Sequence, residues 1–139
     1  MAFWNIDLST QDGAWSAAQN GGFACYAMVV LGVIGVALGA MAASSAGSAV
    51  VIGVLGVGVA EILLFAFAGY RLQAGKGVIW GSVAAAVLAL ELLVKVLSLA
   101  IPGLLINAIV LIVLINGIRG AAAIKSGRLN ADDAAAVFD

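Results

Sequence analysis

The sequence contains no histidine, one cysteine (Cys25) and one proline (Pro102), and charged residues make up only 9% of it. Each shortage closes off a class of chemistry. Without histidine the chain cannot by itself supply a bis-His haem site, a Cys/His zinc site or a Ser-His-Asp triad. With one thiol it can form no internal disulfide, and Cys25, at the start of an apolar run, reads as a small packing residue rather than a redox centre. A net charge of −1 and a pI near 5.1 also argue against binding to nucleic-acid phosphates. The expectation is therefore no enzyme activity, no cofactor, no metal and no nucleic-acid partner.

What the chain has instead is apolar length. Hydrophobic residues make up 65% of its 139 positions and the mean hydropathy is +1.22, whereas ordinary globular domains are roughly half apolar. A helix needs about 20 apolar residues to cross a hydrocarbon core of roughly 30 Å. Four such spans, at about 23–43, 49–70, 78–99 and 104–124, nearly exhaust the chain. They predict an all-α fold, an integral membrane bundle of four transmembrane helices over residues 23–125. The connections are short: Ser44-Ser45-Ala46-Gly47-Ser48, the hydrated stretch Arg71 to Gly77, and Pro102-Gly103, where proline stops one helix and glycine permits the turn.

The two ends carry different signals. In residues 1–22, Phe3, Trp4, Ile6, Leu8 and Trp15 alternate with Asp7, Ser9, Gln11 and Asp12. That mixture predicts an interfacial amphipathic segment lying on the membrane, with Asp7, Ser9 or Thr10 as helix caps. A cleaved signal peptide fits poorly, because this stretch has no Lys or Arg. The tail, residues 126–139, is expected to be cytoplasmic, with Asn130 capping a short helix that has Asp132 and Asp133 in its first turn and ends at Phe138.

Orientation follows from the cations. Arg71, Lys76, Arg119, Lys125 and Arg128 all flank the ends that share one side, while the 44–48 and 100–103 connections hold none. The positive-inside rule then places both termini in the cytoplasm. Trp4, Trp15, Tyr26, Tyr70 and Trp80 fall on the same side.

Helices in lipid associate through small residues and polar contacts. Gly35 and Gly39, then Gly53, Gly56, Gly58 and Ala60, then Gly77, Gly81, Ala85 and Ala89 form small-residue stripes suited to packing within the chain or between copies. Ionisable groups inside a span cost on the order of 2.5–3.5 kcal/mol each on insertion scales, so each needs a partner. Counting along the predicted spans sorts them into two layers: Glu61 with Asn116 and Arg119 toward the cytoplasm, and Glu91, Lys95 and Asn107 in the outer half. Glu91 and Lys95, four residues apart, can pair along one helix. Asn107 and Asn116, nine apart, fall on opposite sides of the fourth helix, so that helix should have polar neighbours on two sides.

Two stretches carry a family resemblance. Asn5-Ile6-Asp7-Leu8-Ser9-Thr10-Gln11-Asp12-Gly13-Ala14 and Asn116-Gly117-Ile118-Arg119-Gly120-Ala121 resemble the two ends of a group of uncharacterised small four-helix inner-membrane proteins of proteobacteria. The resemblance implies a bacterial inner membrane and no assigned activity. Small multidrug exporters fit less well, because they carry their essential glutamate in the first span, which is uncharged here.

Two functions stay open. One is a non-enzymatic accessory or assembly subunit whose partners are the lipid bilayer and other membrane proteins or copies of itself. The other is a small proton- or ion-coupled transporter or channel using Glu61 or Glu91. The fourth helix separates them: a subunit should present its second polar face to another chain, whereas a transporter should line a hydrated cavity with those glutamates.

Overall fold

The computed structural model describes residues 8–98 and 101–127, and these are helical with no strand among them. Four long helices follow one another: α1 (Gln11–Ala43), α2 (Ser48–Gln73), α3 (Val78–Leu97) and α4 (Ile101–Ser126), with a single 3-10 turn, Ser44–Ala46, between the first two. All four are long and apolar enough to cross a membrane. The expected tail helix over 130–138 lies outside the described residues.

Burial is inverted relative to a water-soluble domain. Large apolar side chains such as Leu38, Met41, Ile52, Val57, Ile79 and Leu97 are exposed, while much of the interior is alanine and glycine: Ala14, Ala17, Ala18, Gly21, Gly22, Ala68 and Ala84. Such a surface is at home against hydrocarbon. The larger buried side chains, Phe65, Leu72, Leu88 and Leu114, come from α2, α3 and α4.

The helices pack in cyclic order. α1 lies against α2 and α4, α3 against α4 and more sparingly against α2, and α2 and α4 barely meet. Arg71, Lys76, Arg119 and Lys125 all belong to one end of this array, called here the basic end. At that end the α2–α3 turn is a Schellman motif: Lys76 N–H donates to the Arg71 carbonyl at 3.0 Å and Gly75 N–H to the Leu72 carbonyl at 2.9 Å. The motif needs a left-handed residue, and Gly75 supplies it with φ +67°.

The N-terminal segment departs from expectation. Residues 11–22 are not a separate surface helix; they are the first three turns of α1, which runs unbroken for 33 residues. Thr10 is the cap, accepting a hydrogen bond from Gly13 N–H at 3.1 Å, and Asp12 sits in the first turn. The reason lies in the small residues between the aromatics. Ala14, Ala17, Ala18 and Gly21 make a face flat enough for α4 to press onto. A Cβ built on Gly21 would stand 2.7 Å from Gly117 Cα, and one on Gly120 would stand 2.5 Å from the Ala14 carbonyl oxygen. Backbone contact that close fixes 11–22 to α4 as a continuation of the first span. The other predicted span ends move less: α2 extends three residues past 70, α3 stops two short of 99, and α4 takes Pro102 into its first turn, where its missing N–H costs nothing.

Candidate functional site

Four of the six polar residues picked out in the sequence come together. α3 places Glu91 and Lys95 one turn apart, and Lys95 Nζ donates to Glu91 Oε2 at 3.3 Å. From α4, Asn107 Nδ2 donates to the same oxygen at 3.0 Å. Asn107 is 3% exposed, so the chain itself covers this amide, and the expected second, outward polar face of α4 is absent at this position. The fourth member is Glu61 of α2, whose carboxyl group lies within hydrogen-bonding reach of Glu91.

Glu61 was expected beside Asn116 and Arg119; the structure sets it beside Glu91 and away from Arg119. Arg119 is exposed, and the ion pair among the described residues is that of Lys95 with Glu91. Asn116 is half-buried further along α4. α2 packs against α3 and barely meets α4, so the neighbour of Glu61 comes from α3. Because α2 continues to Gln73, Glu61 stands about 18 Å from the basic end of its helix, and Glu91 stands about 20 Å from the basic end of α3.

The arrangement leaves one acceptor without a donor. Glu91 Oε2 takes two hydrogen bonds, but Glu91 Oε1 is buried and accepts none from the described residues. A carboxyl group next to it, on Glu61, can donate only when it carries a proton. Two carboxyl groups side by side therefore form a site that one proton completes, and a proton shared by paired acids is the ordinary resolution of such a contact.

These groups line an open cavity of about 650 Å³ to which all four helices contribute. It extends from Glu61, midway along α2, to Lys95 and Gly103 near the ends of α3 and α4 remote from the basic end. Its remaining wall is apolar or small, with Met28 and Leu31 of α1, Val57 of α2 and Ile106 of α4. Glu91 and Lys95 remain partly accessible, their side chains 26% and 31% exposed. Chemically the cavity offers two acids, one ammonium and an amide within an apolar wall.

Sequence spacing alone identified the Glu91, Lys95 and Asn107 contacts. It missed the addition of Glu61 and the cavity. No local signal names Glu61 as the fourth member, because its neighbour depends on which helices pack together. Compared with protein-family models, curated proteins and solved structures, the chain matches none of them, so the reading of this site rests on its geometry.

Proposed function

We propose that this protein is a multi-pass carrier of the bacterial inner membrane that exchanges protons against a small organic cation, with Glu61 and Glu91 as the exchange site. The observation that supports this is the meeting of two carboxyl groups, from α2 and α3, on the wall of an open cavity lined by all four helices. Charge accounting gives the coupling. Two carboxylates and the Lys95 ammonium sum to −1, an expensive charge at that depth, and either one proton or one monovalent cation restores neutrality. Each occupant then displaces the other. A volume of about 650 Å³ sits within the roughly 300–1,000 Å³ of small-molecule sites, and the apolar wall suits a cation with a hydrocarbon body better than a bare metal ion.

In this reading the basic end faces the cytoplasm with both termini, the cavity faces outward, and the glycine-packed half beneath it is the closed gate. Purified protein in liposomes loaded with the pH dye pyranine tests it, with ethidium as the probe cation. Adding ethidium outside should drive protons out of the lumen, and Glu61→Gln and Glu91→Gln should each abolish the response. Wild-type vesicles that behave like protein-free ones would sink the proposal.

A subunit role is the second reading, favoured by one observation. A Cβ built on Gly35 or Gly53, which line the cavity, or on Gly56, which does not, meets nothing within 4 Å, so α1 and α2 have close-approach positions that this chain does not use.

A further inference from the structure

We propose that the basic end carries a binding site for the phosphate headgroup of an anionic lipid, formed by Arg71, Lys76 and Lys125 around a pocket between the α2–α3 turn and the end of α4. The pocket has a volume of about 660 Å³. Three of its walls bear cations: Arg71 from the last turn of α2, Lys76 from the turn, and Lys125 from the last turn of α4. None of its described lining residues is acidic.

Two further observations point to a ligand. Arg71 Nε is buried and has no acceptor among the described residues, a costly state for a guanidinium N–H unless an anion arrives to receive it. The same pocket also has an apolar side, made by Trp15, Ile79 and Ile124. The turn is held against that side, since a Cβ on Gly75 would come within 2.8 Å of the Trp15 ring and 3.6 Å of Ile124. A free phosphate has no use for such a wall, whereas a phospholipid places acyl chain and glycerol beside its headgroup. The pocket lies where four apolar helices end, at headgroup level for a chain that crosses a bilayer. Cations in that position, with an indole at the same depth, match an anionic lipid on both chemical and geometric grounds.

The site is separate from the glutamate cavity and does not depend on transport. Its test is lipid retention by the full-length protein in mild detergent, followed by native mass spectrometry after addition of phosphatidylglycerol or phosphatidylcholine. Wild type should retain phosphatidylglycerol and not phosphatidylcholine, and inorganic phosphate should not compete at equal concentration. Lys76→Gln and Lys125→Gln, both at exposed positions, should each weaken retention about fivefold, and Arg71→Gln at least as much. Arg119→Gln removes an exposed cation that does not line the pocket and should change nothing. Helical circular dichroism confirms that each variant is folded, and the two lysine variants carry the test if Arg71→Gln is not. Equal retention of both lipids, an equal loss in Arg119→Gln, or displacement by inorganic phosphate as effective as by phosphatidylglycerol would each overturn the proposal.

Discussion

The two halves of the helix array use glycine differently. Toward the basic end, Gly21 and Gly117 face each other so closely that a Cβ on Gly117 would lie 2.5 Å from Gly21 Cα, and Gly77 leaves no more room beside the Leu72 backbone. Toward the other end the glycines divide: Gly32, Gly39 and Gly58 stand against the side chains of Ile62, Val54 and Val36, while Gly35, Gly53 and Gly56 face open space. The same residue type thus brings helix backbones together in one half of the molecule and meets only side chains or open space in the other. A small residue only permits close approach; whether helices approach depends on what stands opposite, and lipid supplies little hydrophobic force to bring them together. The polar residues follow this division. Glu61 and Glu91 lie near mid-length or beyond in their helices, and Lys95 and Asn107 toward the ends remote from the basic end, so the cluster reaches into the open half and lines its cavity.

The strongest way to break the comparison is Gly117→Val. The new side chain would meet the backbone of α1, which cannot move aside as a flexible side chain can, so the cost should lie at or above about 3 kcal/mol, the upper end of ordinary overpacking. Thermal unfolding in detergent, followed by helical circular dichroism, should show a large drop or failure to assemble. A variant that melts with wild type would mean the α1–α4 contact is not what closes this half.

A smaller effect is expected at the polar cluster. Glu91→Ala removes the acceptor for both Lys95 and Asn107, which should cost about 1–3 kcal/mol, with the partial exposure of the pair favouring the lower part of that range. Because Asn107 is buried and Lys95 is not, the amide is the group stranded more severely. A Glu91→Ala, Asn107→Leu double variant should therefore recover part of the loss, and strict additivity in the melting data would show that the two residues do not act together.

How much of this was legible in the sequence depends on the range of the interaction. The four apolar spans, the i,i+4 pair of Glu91 with Lys95 and the N-capping ability of Thr10 are local properties, and local periodicity reports them. The fate of residues 11–22 is not local. Trp15, Asp12 and Gln19 look like a surface segment in isolation, and only the presence of Gly117 and Gly120 on a helix about a hundred positions away makes Ala14, Ala17 and Gly21 an interior face. Glu61 shows a related weakness. Its neighbour is set by which helices pack together, and α2 meets α3 far more than α4. Of the small-residue stripes, the sequence reported the positions of Gly35 and Gly81 equally well, but not that a Cβ on Gly81 would stand 2.9 Å from Ile118 while one on Gly35 would meet nothing within 4 Å.

The smallest expected effect concerns the open half and sharpens the comparison from that side. Gly35→Ala and Gly53→Ala add a methyl group where there is nothing to collide with, and alanine restricts the unfolded chain more than glycine does. For a molecule acting alone, stability should hold or rise by no more than about 1 kcal/mol. If a second chain packs on these glycines, the same methyl groups would stand between two backbones, and the loss would appear in association rather than in the melting of the monomer. Light scattering in mild detergent beside thermal unfolding separates the two. Unchanged mass with unchanged or raised stability supports a carrier whose open half faces lipid and solute. A fall in oligomer mass at constant monomer stability would show that these glycines are an interface, and would move the balance toward a subunit that works by packing against another chain.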